Sequence, residues 1–102
     1  MVKLVHVCDL KELRPGDKQA MVANGENILV ANIGGKICAV SNICTHEYAE
    51  LSNGFLIEDT ITCPLHLSRF KLETGEVLNP PATKPLKRYK IVVQENGVYV
   101  EV

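Results

Sequence analysis

Two short runs of cysteine and histidine constrain this 102-residue chain more than any other feature of its sequence. The first run is Cys44-Thr45-His46 and the second is Cys63-Pro64-Leu65-His66, with sixteen residues between His46 and Cys63. A linker of that length suffices for a hairpin that brings the two runs face to face. Each run pairs a soft thiolate with an imidazole, and such donors bind transition metals. The pattern therefore predicts one metal centre held by Cys44, His46, Cys63 and His66.

Size and charge narrow the class of protein. A chain of 102 residues predicts a single domain, residues 1–102. The net charge is -1 and the pI about 6.3, with no basic stripe, so neither nucleic acid nor a membrane surface is an expected partner. The N-terminus lacks the pattern of a signal peptide, and no apolar run approaches the roughly 20 residues that span a bilayer. We therefore expect a soluble cytoplasmic protein.

Short apolar runs alternate with turn signals along most of the chain and predict an all-β fold. The candidate strands are Val2–Cys8, Gln19–Asn24, Asn27–Ile33, Lys36–Ser41, Phe55–Glu58, Thr60–Thr62, Arg69–Lys71, Lys87–Gln94 and Val98–Glu101. The turn pairs typical of tight hairpins are Asn24-Gly25, Gly34-Gly35, Asn53-Gly54 and Asn96-Gly97. Residues 9–13 predict one helical turn capped by Asp9. We expect an antiparallel β-sandwich or barrel, with residues 43–85 inserted as a small metal-binding subdomain.

The C-x-H…C-x-x-H motif and its flanks resemble the Rieske-type ferredoxins, the small electron carriers of ring-hydroxylating oxygenases. The resemblance runs from about Leu29 to the C-terminus, and its flanking matches are Pro64, Ser68, Phe70 and Thr74-Gly75. It implies one [2Fe–2S] cluster per chain, with Cys44 and Cys63 on one iron and His46 and His66 on the other. It also implies a monomeric one-electron carrier without catalytic residues. A flavoprotein reductase would supply the electron, and a terminal oxygenase or similar acceptor would take it.

Other positions match the same family less specifically. Pro64 fixes φ and helps to turn the second run. Ser68 matches a position where family members can donate a hydrogen bond to a bridging sulfide, and an ordinary turn serine is an equal alternative. Asn79-Pro80-Pro81-Ala82 matches the proline-rich third loop that covers the cluster, or else it is an ordinary rigid loop.

Several positions depart from the Rieske proteins of respiratory complexes. Ala49 and Leu65 stand where those proteins carry a disulfide between the two loops, and Phe70 replaces a tyrosine near the cluster. Fewer hydrogen bonds to sulfur predict a potential in the lower part of the Rieske range, roughly −150 to 0 mV. Leu67 occupies a position that is often Gly in the family, so its side chain is expected to affect the local loop.

Two other functions and several other residues stay open at this point. The nearest alternative is the small Rieske subunit of an assimilatory nitrite reductase, and a more distant one is a structural Cys2His2 zinc module. Cys8 and Cys38 lie in apolar runs and are expected to be buried thiols, with a mutual disulfide as the minor alternative. His6 is treated as structural. Three apolar residues lie beside the predicted ligands in sequence, and they either contact a redox partner or pack around the loops: Tyr48, Leu65 and Leu67.

Overall fold

The structure, a computed structural model, describes residues 3–45, 48–65 and 67–102. Within these residues the regular structure consists of short 3₁₀ helices at Leu10–Glu12 and Leu51–Asn53, together with ten strands. The strands are β1 (Leu4–Asp9), β2 (Lys18–Ala23), β3 (Glu26–Ile33), β4 (Lys36–Ser41), β5 (Phe55–Ile57), β6 (Thr60–Thr62), β7 (Arg69–Lys71), β8 (Val77–Asn79), β9 (Arg88–Gln94) and β10 (Gly97–Glu101). In this part of the chain, no helix has the length and apolar character needed to cross a membrane.

The expected all-β antiparallel fold is confirmed. All nine strands expected from the sequence are present, with ends within two residues of the prediction. The sequence does not predict β8, because Val77–Asn79 is a three-residue strand in a stretch with strong loop signals. The helical turn predicted after Asp9 is a 3₁₀ helix, in which the backbone N–H of Asp9 donates to Glu12 Oε1 at 3.0 Å.

Six strands form a large, nearly closed sheet in the order β1-β10-β9-β4-β3-β2. Asn24-Gly25 (φ 52° and 77°) and Gly34-Gly35 (φ 66° and 100°) form the predicted tight turns. The prediction is wrong for the other two pairs. Glu95-Asn96 makes the β9–β10 turn, with φ of 49° and 65°, because Gly97 already belongs to β10. Asn53-Gly54 leads from a 3₁₀ helix into β5 instead of reversing the chain.

The remaining strands form a small sheet in the order β5-β6-β7-β8, and all four lie between β4 and β9 in the chain. The segment from β4 to β5 carries the first Cys/His run. The short connection from β6 to β7 carries the second run. In the chain, the second run therefore connects two neighbouring strands of the small sheet, whereas the first run follows β4 of the large sheet.

The core has two clusters, and strand β3 contributes residues to both. Ile28 and Val30 point into the large sheet's own core, together with Leu13, Val98 and Val100. Leu29 and Ala31, which alternate with them along β3, belong to the second cluster. This cluster also contains Ile61 of β6 and Phe70 of β7 in the small sheet. Because both faces of β3 are buried, its sequence is continuously apolar at residues 28–31 and does not alternate.

Cys8 and Cys38 are buried free thiols, as expected from their apolar surroundings. Cys8 belongs to the core of the large sheet, whereas Cys38 belongs to the cluster beneath the small sheet. The disulfide alternative does not hold, since the two thiols lie in different clusters and are not bonded. Burial raises the pKa of both thiols, which keeps them protonated and chemically quiet near neutral pH.

Candidate metal centre

Cys44, which begins the first Cys/His run, lies in a segment whose ends are joined by backbone hydrogen bonds. The Cys44 N–H donates to the Ala49 carbonyl at 2.9 Å, and Ile43 pairs with Glu50 through an isolated bridge. The Cys44 side chain is only 2% exposed. We call residues 43–50 the first turn. It buries its thiol while it returns the chain to the 3₁₀ helix at Leu51–Asn53.

The second run has the same closure. The Cys63 N–H donates to the Ser68 carbonyl at 2.8 Å, and the Leu67 N–H donates to the Cys63 carbonyl at 3.2 Å. The Cys63 side chain is 1% exposed. We call residues 63–68 the second turn. In both turns a cysteine N–H therefore bonds to a carbonyl five residues further on, at Ala49 and at Ser68.

The two histidines predicted as ligands, His46 and His66, lie outside the described residues, as does Glu47. In sequence, each histidine falls between the two ends of a closed turn. The structure places Cys44 and Cys63 in the same apolar cluster and so brings the two predicted thiolate ligands into one region.

A third segment, residues 79–85, contacts both turns. The Thr45 hydroxyl donates to the Lys84 carbonyl at 2.7 Å, which links this segment to the first turn. The Ala82 N–H donates to Ser68 Oγ at 3.0 Å, and Asn79 Nδ2 donates to the Leu67 carbonyl at 3.0 Å. Residues 79–82, which the sequence matches to the third loop, contact the second turn, and Lys84 beyond them contacts the first turn.

Ser68 is fully buried, so its hydroxyl is an internal group of the site. Its oxygen already accepts from Ala82, which gives the side chain a structural role between the second turn and the third segment. A hydroxyl can donate as well as accept. The two alternatives from the sequence, a turn serine and a donor to sulfur, are therefore compatible in one residue.

Charged groups join the two sheets beside the third segment. Lys36 Nζ, on β4, lies 2.9 Å from Glu73 Oε2, in the connection between β7 and β8 of the small sheet. Arg88 Nη1 donates to the Glu73 carbonyl at 2.9 Å. The hydrogen bond from Lys36 lowers the pKa of Glu73, and the same bond raises the pKa of Lys36. Both side chains are solvent-accessible, so the pair contributes orientation more than stability.

The described donors fit an iron–sulfur cluster. Two thiols shielded by apolar residues, each at the start of a tightly closed turn, suit a cluster that is held by thiolates and protected from water. No group of three or more possible metal ligands occurs among the described residues, which do not include His46 and His66. Around the turns, three apolar side chains are exposed: Tyr48 (93%), Leu65 (57%) and Leu67 (58%).

Sequence reasoning missed three features that shape the site. Asn42, two residues before Cys44, is completely buried within a hydrogen-bond network. Gly54 has no room for a side chain, because an added Cβ would lie 1.9 Å from the Thr62 carbonyl oxygen. Leu67 has a positive φ of 62°, which the comparison with Gly at this position could have indicated.

Comparisons with known proteins agree with this architecture. A model of the Rieske [2Fe-2S] domain matches residues 3–90. The ferredoxin component of the naphthalene 1,2-dioxygenase/salicylate 5-hydroxylase systems of a Ralstonia species is 37% identical over 92 residues, which cover 90% of this chain and 88% of that protein. The 3-phenylpropionate/cinnamic acid dioxygenase ferredoxin subunit of Photorhabdus laumondii is 38% identical over 97 residues, which cover 94% and 91%.

Solved structures give the same result. A chain in the complex of reduced oxygenase and oxidized ferredoxin of carbazole 1,9a-dioxygenase superposes with a TM-score of 0.92 at 34% identity, covering 95% of this chain and 91% of that chain. A structure described as a nitrite reductase small subunit from Mycobacterium tuberculosis superposes with a TM-score of 0.88 at 20% identity, covering 100% and 96%, and shows the fold alone. From the match over residues 3–90 and from relatives above 30% identity along most of its length, the chain belongs to the Rieske [2Fe-2S] domain family.

Proposed function

We propose that this chain is a one-electron carrier whose [2Fe–2S] cluster is held by Cys44, His46, Cys63 and His66. The observation that supports the ligand set best is the matched pair of closed turns, each of which buries a cysteine in the same apolar cluster. Each turn also contains one of the two histidines in sequence. We further propose that residues 43–85 act as the cluster-binding subdomain of a single domain, residues 1–102.

The cluster, when bound, supplies one reversible electron at a potential above that of all-cysteine clusters. The chain's own residues provide the surroundings. The apolar cluster around Cys44 and Cys63 excludes water from the thiolate side. The third segment fixes the two turns relative to each other through Thr45 and Ser68. A carrier with such a fixed site needs little rearrangement when its charge changes.

The relatives support the electron's destination, and the family resemblance implies its source. Two relatives are named as ferredoxin components of dioxygenase systems, and one solved complex contains an oxygenase with its ferredoxin. We propose that this chain receives electrons from a flavoprotein reductase and passes them to a terminal oxygenase. In this scheme it works as a cytoplasmic monomer and has no catalytic residue of its own.

The exposed apolar residues of the two turns form the proposed docking surface, which we define as Tyr48, Leu65 and Leu67. Leu65 and Leu67 flank His66 in sequence, and Tyr48 follows His46 by two residues. Exposure of all three favours the docking interpretation over packing around the loops. Encounters between redox partners are transient and bury less than about 1,200 Å², so a few apolar side chains can account for much of the contact.

The proposed function is tested by a Leu67→Glu variant and a matched control, Val93→Glu. Val93 is also exposed and apolar, but it lies on β9 beside the Glu95-Asn96 turn. Both variants should contain two irons and two acid-labile sulfides per chain. We expect Leu67→Glu to slow oxidation of the reduced protein by a ring-hydroxylating oxygenase at least tenfold in stopped-flow absorption, and Val93→Glu to match the wild type. Equal rates for all three proteins would contradict the docking surface.

Composition and association separate the electron carrier from the two alternatives. Stoichiometric zinc without sulfide in anaerobically purified protein would restore the structural zinc module. Stable co-purification with a large nitrite-reducing subunit, and no transfer to an oxygenase, would favour the reductase subunit. The fold likeness to a nitrite reductase small subunit, at 20% identity, does not favour that function.

A further inference from the structure

Asn42 is a completely buried polar residue between the end of β4 and Cys44. Its Nδ2 donates to Asn27 Oδ1 at 3.0 Å, to Ser52 Oγ at 3.2 Å and to Glu50 Oε2 at 3.2 Å. Its Oδ1 accepts from the Ser52 N–H at 2.8 Å. Both ends of the side-chain amide are therefore satisfied, as a buried amide requires.

These bonds connect the entry and the exit of the first turn to strand β3. Asn27 belongs to β3, while Ser52 belongs to the 3₁₀ helix that follows the turn. The Asn42 backbone contributes as well, because its N–H donates to the Asn27 carbonyl at 3.0 Å and its carbonyl accepts from the Leu51 N–H at 2.6 Å. One residue thus holds three segments at the base of the turn that carries Cys44.

The position that corresponds to Asn42 is apolar at the second turn. The residue two positions before Cys63 is Ile61, which is fully buried and packs in the apolar cluster. Apolar contacts resist displacement but do not fix direction, whereas hydrogen bonds do. The orientation of the first turn on the large sheet therefore depends on the Asn42 amide in a way that the second turn does not share.

We propose that Asn42 is a positioning residue for the cluster: through the backbone of the first turn, its amide sets where the Cys44 thiolate lies relative to the second turn. This inference rests on the proposed function, because it assumes that Cys44 is a ligand. A structural role alone would affect only stability. A positioning role also changes the electronic environment of the iron that Cys44 binds.

The test compares Asn42→Ala with Asn32→Ala, two substitutions that leave the charge unchanged. Asn32 is also a buried asparagine whose side chain bonds to backbone, namely the Leu13 carbonyl and the Gly35 N–H, both at 2.8 Å. It lies near the Gly34-Gly35 turn that joins β3 to β4, and its side-chain hydrogen bonds go to Leu13 and Gly35, outside the first and second turns. Each holoprotein is measured for iron and sulfide content, reduction potential and the electron paramagnetic resonance spectrum of the reduced state.

We expect both variants to lose stability, but only Asn42→Ala to shift the potential and the spectrum. A fully loaded Asn42→Ala protein with wild-type potential and spectrum would overturn the inference.

A milder variant keeps the test decisive if Asn42→Ala does not fold. Ser52→Ala removes only one acceptor of the Asn42 amide, and we expect a smaller spectral shift in the same direction. An unchanged spectrum in loaded Ser52→Ala protein would then contradict the positioning role. Wild-type protein without two irons and two sulfides would instead refute the proposed function, so the two failures are distinguishable.

Discussion

The first and second turns share one backbone closure but depend on different supports. In each turn a cysteine N–H bonds to the carbonyl five residues later. The first turn is fixed at its base by the polar network of Asn42, whereas the second follows Ile61 in the apolar core and is tied laterally to the third segment through Ser68. The difference shows that similar local geometry can be held by direction-giving hydrogen bonds in one place and by packing in another.

The largest expected effect is the loss of the cluster when either turn loses its proposed cysteine ligand. Cys44→Ser and Cys63→Ser should each abolish the cluster, because both turns are expected to supply one thiolate. Cys38→Ala is the matched control, since Cys38 is buried in the same apolar cluster but is not a proposed ligand. It should retain two irons per chain by metal analysis. Loss of iron from Cys38→Ala, with iron retained in either ligand variant, would show that the thiolates are misassigned.

Gly54, the residue before β5, lies against the backbone of Thr62, the last residue of β6. A Cβ at this position would overlap the carbonyl of Thr62, the residue before Cys63. We expect Gly54→Ala to destabilise the protein by about 3 kcal/mol, since a backbone clash requires both segments to shift. Gly25→Ala is the control: Gly25 has a positive φ, unlike Gly54, but it has open space around it, so the substitution should cost only about 1 kcal/mol of strain. Equal losses in the thermal midpoint would mean that the approach of the two segments is not tight.

Contacts of the third segment should matter more for the second turn than for the first. Ser68→Ala leaves the buried Ala82 N–H without its acceptor and should cost about 1–3 kcal/mol. Thr45→Val removes a hydrogen bond at an exposed position, where water can replace it, and should cost below about 1 kcal/mol. Urea unfolding of the two variants measures the contrast. A larger loss of unfolding free energy for Thr45→Val than for Ser68→Ala would show that the third segment matters more for the first turn than for the second.

The smallest expected effect concerns Leu67 in the second turn. A side chain at φ 62° carries about 1–2 kcal/mol of backbone strain, which glycine would remove. Glycine also loses more freedom on folding, by about 0.4–1 kcal/mol, so Leu67→Gly should stabilise the protein by roughly 0.5 kcal/mol. Because the exposed side chain disappears, transfer to the oxygenase should slow at the same time. A destabilised Leu67→Gly protein would indicate that the leucine side chain supports the turn by packing.

The ligand motif and the alternation of apolar residues were enough to predict the fold class and nearly all strands. Local patterns predict strands because the number of buried faces of a strand determines which of its residues are apolar. In β3 both faces are buried, and residues 28–31 are all apolar. The supports of the turns were not predictable in this way. The role of Asn42 depends on Asn27 and Ser52, and the need for Gly54 depends on Thr62, so both arise only when distant segments meet.

The position of β8 and the real β9–β10 turn escaped prediction for a related reason. Val77–Asn79 becomes a strand because β7 offers it a partner, not because of its own composition. Glu95-Asn96 takes the left-handed conformation because pairing of Gly97 with Gln94 leaves just two residues for the turn. In both cases strand register outweighs local preference.

The reduction potential of protein with verified iron and sulfide content tests the central claim most directly. A cluster with two imidazole ligands, no disulfide between the turns at Ala49 and Leu65, and Phe70 without a hydroxyl should have a potential of roughly −150 to 0 mV. Protein-film voltammetry at pH 7 provides the value. A potential near about −400 mV, typical of all-cysteine clusters, would contradict ligation by His46 and His66.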